Sequence, residues 1–358
     1  MRLRFLLSAL LLFFCTAFAA FAQDAPSPDA SPVSDAPDTT QQDNNPATTL
    51  KVNVNLVSLY FTVRDKRGGL IPNLTKNDCS ILEDKQPQTI KNFSAESDLP
   101  LTLGILLDTS GSQQNVLPME QQTGSAFLKR ILRSKDEAFL VSFDVQVSLL
   151  QDFTSNARQL EKSIDQAEIN TAGGGGSAGV PGIGQGPVPV HGAPKGTLLY
   201  DAVYLAANDK MRSETGRKAL ILLTDGEDQG SSYKIADAIE AAQKSNTIIY
   251  VLLIADRHFY NGYNGINLGG YGGDSYMKKM ADATGGRMID VGNNGKKMED
   301  AFQQIEDELR TQYLASYTPT NTKLDGGYRK LDIDCKGDGL KVQARKGYYA
   351  MPSEDQGQ

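Results

Sequence analysis

From residue 101 onward the chain alternates short, nearly unbroken apolar runs with longer stretches in which apolar residues recur every three or four positions. The runs are LTLGILLD (101–108), AFLVSF (138–143), VSLLQDF (147–153), ALILLT (219–224), TIIYVLLIA (247–255) and RMIDV (287–291). Between and after them, helical periodicity predicts helices over 119–133, 156–167, 198–211, 233–244, 276–284 and 296–311. Strands exposed to water on one face would alternate apolar and polar residues, so the continuity of most of these runs predicts burial on both faces. Alternating strands and helices of this kind predict a mainly parallel, doubly wound sheet with helices on both sides.

The two ends of the chain follow a different rule. Val52, Val54, Leu56, Ser58, Tyr60 and Thr62 fall on one side of an alternating strand, and the turn DKRGG closes it at 65–69. Short strands follow at 79–84 and 88–93, and the β pattern returns at 313–317, 329–335 and 340–349. In the 329–335 segment Leu331, Ile333 and Cys335 are apolar and the residues between them charged. The simplest arrangement is an α/β domain (100–312) inserted in a small β-sandwich-like domain formed by both chain ends, 50–99 and 313–350, with a tail at 351–358.

Two segments interrupt the periodicity, a Gly/Pro-rich stretch at 173–196 and a Gly/Tyr/Asn-rich one at 258–273. Both exceed the length of ordinary connections and are either functional or disordered. Ahead of the β pattern, residues 23–49 are rich in Pro, Ala, Asp, Ser and Thr with no apolar period, as expected of a disordered spacer. Residues 1–22 read as a signal peptide: Arg2 and Arg4, an apolar stretch from Phe5, then Ala20-Phe21-Ala22 as a small-x-small cleavage pattern. The protein is therefore expected outside the cytoplasm, periplasmic or secreted, with no transmembrane span in the mature chain.

The net charge is −7, and losing Arg2 and Arg4 with the first 22 residues leaves −9. Nucleic-acid binding needs clustered Lys and Arg, so that class is excluded. Histidine is limited to His191 and His258, both in the long loops, which argues against a Ser–His–Asp hydrolase or a zinc site. Within 173–179 the sequence matches both G-x-S-x-G and G-x-G-x-x-G, but each motif needs a strand before it and a helix after, and neither has them. DIDCKG at 332–337 hints at a calcium loop, yet Gln343 stands where its last glutamate would be, so solvated strand charges are the better reading.

The stretch ILLDTSGSQQ (105–114) carries the chemistry. Asp108 ends a buried strand, which places it in the crevice at the carboxyl edge of the sheet where such folds bind ligands. Asp108, Ser110 and Ser112 stand two residues apart, so in an extended loop their oxygens point to one place. They form either an ordinary polar turn or a ligand set for a hard cation. Two further segments are suitably placed: Gly196-Thr197 before a helix, and LLTDG (222–226), another apolar run ending in an aspartate.

DTSGS, GTLLYDAV and LLTDGED resemble the three segments of the metal-ion-dependent adhesion site of von Willebrand factor type A (VWFA) domains, over residues 101 to about 312. The flanking segments resemble the ends of a bacterial VWFA-related family common in acidobacterial genomes. The resemblance implies a Rossmann-like domain holding Mg²⁺ (or Mn²⁺ or Ca²⁺). Ser110, Ser112 and Thr197 would contact the ion by hydroxyls or waters, and Asp108 and Asp225 would supply charge. All these ligands are oxygens, as a hard cation requires, and the scarcity of direct carboxylates leaves the ion able to take one from a partner.

The function expected is an exported, metal-dependent protein-binding or adhesion module that captures a partner's Asp or Glu, without catalysis. Alternatives are a Mg²⁺-dependent phosphohydrolase with Asp108 as nucleophile, which lacks a second aspartate because Ser110 stands there, and a structural protein with a vestigial site. Asp201, Glu227 and Asp228 read as local caps or a solvated rim, and Glu299, Asp300, Glu306, Asp307 and Glu308 as an exposed helix face. Tyr260, Tyr263 and Tyr271 are either contact residues or part of a flexible loop. In an exported chain, Cys79 and Cys335 are expected to pair in a disulfide joining the two β segments, with buried free thiols as the alternative.

Overall fold

The computed structural model describes residues 56–96, 98–169, 196–254 and 273–352. The segments read as signal peptide (1–22) and spacer (23–49), the last tail residues, His191, His258, Tyr260, Tyr263, Tyr271 and nearly all of the two long Gly-rich segments lie outside the described residues.

The apolar runs pair into one six-stranded sheet. Its strands are β5 (Leu101–Asp108), β6 (Glu137–Phe143), β7 (Val147–Thr154), β8 (Arg217–Thr224), β9 (Ile248–Leu253) and β10 (Met288–Asp290), in the order β10-β9-β8-β5-β6-β7. All neighbours run parallel except β6 and β7, which form an antiparallel hairpin at one edge. Every residue of β5, β8 and β9 is buried, Arg217 and Lys218 at the start of β8 included, whereas the edge strand β7 is only partly covered. Gly104 marks the tightest packing: a Cβ there would lie 2.5 Å from both Leu220 Cδ2 and the Phe139 ring, so only glycine fits.

The helices divide between the two faces. α1 (Leu117–Ile131), α2 (Ala157–Asp165) and α6 (Gly295–Arg310) cover one side, where Phe127, Leu160 and Phe302 meet Leu103, Ile105 and Ile221. On the other, α3 (Leu199–Leu205), α4 (Ile235–Lys244) and α5 (Gly273–Thr284) pack against Leu106, Phe139, Leu222 and Val251. The single helix expected over 198–211 changes to a π-helical turn over Ala206–Met211.

Both chain ends supply the remaining strands: β1 (Val57–Arg64), β2 (Cys79–Glu83), β3 (Gln86–Gln88), β4 (Ile90–Glu96), β11 (Gln312–Tyr317), β12 (Tyr328–Cys335), β13 (Lys341–Ala344) and β14 (Gly347–Tyr349). They form two four-stranded antiparallel sheets, β13-β1-β11-β4 and β14-β12-β2-β3. Leu59, Phe61, Val63 and Tyr313 from the first share one core with Ile81, Leu331 and Cys335 from the second. The inward face of β1 is thus the odd-numbered one, opposite the alternating set that begins at Val52. Glu83, itself buried, joins the sheets by accepting from the Tyr317 hydroxyl at 2.6 Å and the Tyr348 hydroxyl at 2.9 Å. Cys79 and Cys335 are direct cross-strand partners and form the disulfide, spanning 256 positions of sequence. Asp332 and Asp334 are exposed on β12, as solvated strand charges should be.

One expectation fails at the junction of these parts. Glu308 is fully buried rather than on the exposed face of α6. Its Oε1 is paired with Arg64 of β1 and with Arg287 at 2.6 Å, and its Oε2 accepts from Gln343 Nε2 at 3.0 Å. The helix ends against the strands of the chain termini, and the counter-charges of Arg64, from one of those strands, and of Arg287, just before β10, make burial of the carboxylate tolerable.

Candidate metal centre

Asp108 is the last residue of β5, and Thr224 ends the adjacent β8 with Asp225 directly after it, so the sheet register brings both aspartates to one carboxyl edge. That edge is also where the strand order departs in opposite directions from β5 and β8, the place where open α/β sheets leave a crevice.

The backbone stays extended through Ser110 and then tightens into a 3₁₀ turn over Gly111–Gln113 that leads into α1. The extended loop expected as far as Ser112 is therefore cut short, yet the oxygens still converge. Asp108 Oδ1 accepts from the Ser110 backbone N–H at 3.0 Å, the Ser110 and Ser112 hydroxyls lie 3.0 Å apart, and Ser112 donates to Asp225 Oδ2 at 2.5 Å. Asp108 Oδ2 accepts from the Thr224 hydroxyl at 2.6 Å. Asp225 Oδ1 accepts from the Glu227 N–H at 3.1 Å.

Thr197 reaches this edge by backbone pairing. It exchanges two hydrogen bonds of 3.0 Å with Gln229, in the loop that begins at Asp225, and Leu198 N–H donates to the Asp144 carbonyl at 2.8 Å. Asp144 in turn accepts from the Thr109 hydroxyl at 2.9 Å. Thr109 and Asp144 thus tie the Asp108 loop to the Thr197 segment. The remaining acids nearby act as local caps: Asp228 accepts from the Tyr200 N–H and the Ser231 hydroxyl, and Asp201 from the Tyr233 N–H. On the far side, Gly226 (φ +84°) and Gly273 are in such close contact that a Cβ on Gly273 would come within 2.7 Å of the Gly226 carbonyl. Glycine at both positions lets the start of α5 press on the loop that carries Asp225.

Burial is severe. Asp108 and Asp225 are 0% and 1% exposed, and Ser110 and Thr197 are also buried. Desolvation, with the Asp225 carboxylate second, pushes the Asp108 carboxyl up to about 7. The groups acting on Asp108 are Asp225, Ser110 and Thr224, and no cationic side chain is among them. Among the described residues no three of His, Cys, Asp and Glu gather as a ligand set, so any ion here must rely on two carboxylates and hydroxyls. Such a donor set, all oxygen and partly neutral, fits a hard divalent cation that keeps some of its water, and does not fit a thiolate- or imidazole-seeking metal.

Two polar residues beside the site escaped the sequence reading. Gln113 and Glu120 are each 1% exposed, and among the described residues all four polar atoms of their side chains lack a hydrogen-bond partner. A signal for Glu120 was present. It occupies the helical repeat of Leu117, Gly124, Phe127, Leu128 and Ile131, the buried face of α1, where an apolar residue is expected.

No family model matches the sequence, and no curated protein matches it. Solved structures similar to it include BatB from Bacteroides thetaiotaomicron, at 18% identity and a TM-score of 0.41 over 58% of this chain and 98% of that one. Proximal thread matrix protein 1 from the mussel byssus, in a form described as having a zinc-occupied MIDAS motif, is 13% identical, with a TM-score of 0.43 over 63% of this chain and 49% of that one. The vWF domain of the type V pili tip protein Mfa5 from Porphyromonas gingivalis is 14% identical, with a TM-score of 0.40 over 58% of this chain and 94% of that one. These likenesses are partial and distant, and what the site can do follows from this chain's own residues.

Proposed function

We propose that this protein is an exported protein-binding module whose grip on its partner depends on a divalent cation, Mg²⁺ or a similar oxygen-seeking ion, and that it has no catalytic activity. The observation that carries the reading is the chain of oxygens from Thr224 through Asp108, Ser110 and Ser112 to Asp225. Asp108, Ser110, Ser112, Thr197 and Asp225 would hold the ion. When bound, the ion offers a strong positive charge at the crevice, able to accept a carboxylate from outside.

The chain's own residues do the preparatory work. Thr224 and the Ser110 N–H keep Asp108 fixed at the end of a buried strand, and Ser112 holds Asp225 from across the cleft. Because the protein carries a net charge of −7, an acidic partner is repelled in general and accepted only where that repulsion is reversed locally. The partner group would therefore be an Asp or Glu side chain. We read the two sheets from the chain ends as a small sandwich-like mount for the α/β domain, divided from it near residues 99 and 313. The disulfide and the leader-like N-terminal sequence support an extracytoplasmic location, and among the described residues no helix is long and apolar enough to cross a membrane.

The test is a pulldown from extracytoplasmic extract with the wild-type protein in Mg²⁺, in EDTA, and with Asp108→Ala in Mg²⁺. Partners retained only in the first condition support the reading. Partners retained equally in all three mean that another surface binds them. Hydrolysis of a generic phosphoester that depends on Mg²⁺ and Asp108 would instead make the protein a phosphohydrolase.

A further inference from the structure

We propose that Glu120 belongs to the cation site as a positioning residue, its carboxylate taking hydrogen bonds from water bound to the ion rather than touching the ion itself. The inference rests on the cation-binding reading above.

Glu120 lies in the first turn of α1, the helix that follows the Gly111–Gln113 turn carrying Ser112. It is 1% exposed, and among the described residues neither carboxylate oxygen accepts a hydrogen bond. Burying a carboxylate with no partner is among the most unfavourable placements available to a side chain, and protonation does not cure it, since the neutral acid still leaves its hydroxyl and carbonyl unpaired. The charged groups acting on it are Asp108 and Asp225, both of the same sign. The positive end of α1 offsets part of this, but that effect is small beside the cost of an unpaired buried charge.

Gln113 repeats the pattern. Its amide is buried, follows Ser112 directly in sequence, and among the described residues has neither donor nor acceptor satisfied. Two unsatisfied polar side chains flanking the same turn are what a hydrated ion would satisfy, because ordered waters settle where several polar groups lack partners. A direct bond is not indicated, since Glu120 does not gather with the two aspartates into a ligand set. The arrangement is that of an outer shell, in which a carboxylate orients what the ion holds.

The experiment is calorimetric titration of Mg²⁺, and separately Mn²⁺, into metal-free wild-type protein and into Glu120→Gln, which keeps the shape and removes the charge. One ion per chain is expected in both, with affinity weakened roughly 10- to 100-fold in the variant. Melting curves with and without metal give the second readout. Glu120→Gln should melt higher than wild type when metal-free, because a buried acid on which Asp108 and Asp225 act with like charge is gone, and should gain less from added metal. A purely structural Glu120 would shift both curves alike. If circular dichroism shows Glu120→Gln unfolded, Glu120→Asp, which keeps the charge and withdraws it by one methylene, is titrated instead and should also bind more weakly. Unchanged affinity in whichever variant folds removes Glu120 from the site while leaving the cation reading intact. Failure of the wild type to bind either ion would overturn both.

Discussion

Thr224 donates its hydroxyl to Asp108 Oδ2 at 2.6 Å, joining the ends of two adjacent buried strands across 116 positions of sequence. The bond fixes the carboxylate and offsets part of the burial that drives it toward its neutral form. Thr224→Val keeps the shape of the side chain and removes the donor. Mg²⁺ affinity should fall roughly tenfold or more, as for other groups that orient a ligand, with the fold preserved. Parallel calorimetry and circular dichroism check this, and unchanged affinity would show that Asp108 needs no such support.

The raised Asp108 carboxyl predicts a pH dependence for the metal-free protein. Between the ordinary carboxylate value of 3.8 and about 7 the folded state binds a proton that the unfolded state has lost. Stability from this group is thus greatest below that window and declines as pH rises through it. Glu120, raised by burial and then by Asp108 and Asp225, adds in the same direction. Melting temperatures in EDTA should therefore drop between pH 5 and pH 7.5, less steeply in Asp108→Asn. Saturating Mg²⁺ should oppose the trend, since the ion favours the ionised carboxylates.

The strands that position the site were legible because β5 and β8 are buried on both faces and their central residues, Leu103–Leu107 and Ala219–Leu223, are all apolar or glycine. Asp108 and Asp225 stood out for the same reason, as charges ending apolar runs. The partners of those carboxylates were not legible. Thr224 reads as one more strand residue, and only the parallel register of β5 with β8 brings it to Asp108. Glu308 reads as part of a charged helix face, and it becomes buried because Arg64 arrives from the other end of the chain.

Glu308 is buried between Arg64 and Arg287 where the α6 end meets β1. Glu308→Gln would leave two guanidinium groups without their counter-charge, and removing one partner of a buried pair costs about 3–5 kcal/mol. Denaturant unfolding should show a loss of that size with the metal affinity of the folded protein unchanged. A loss below about 1 kcal/mol, the scale of an exposed pair, would mean that water reaches this junction.

The Cys79–Cys335 bridge closes a loop of 256 positions, so in the chain-entropy view it stabilises by roughly 2–5 kcal/mol. Thiol labelling of the unfolded, unreduced protein, freed of residues 1–22 and their Cys15, should find no reactive cysteine. Reduction should lower the denaturation midpoint without abolishing metal binding, because the bridge lies in the strands from the chain ends and not at the carboxyl edge of the central sheet. Two labelled thiols per chain would contradict the bond.

The account turns on whether one divalent ion binds where Asp108 and Asp225 meet. Calorimetric titration of Mg²⁺ or Mn²⁺ into metal-free wild-type protein, Asp108→Ala and Asp225→Ala tests this directly. One ion per chain in the wild type and no detectable binding in either folded variant is the predicted result. Equal affinity in all three proteins would place the ion elsewhere, and no binding to the wild type would leave the convergence of Asp108, Ser110, Ser112 and Asp225 without a ligand.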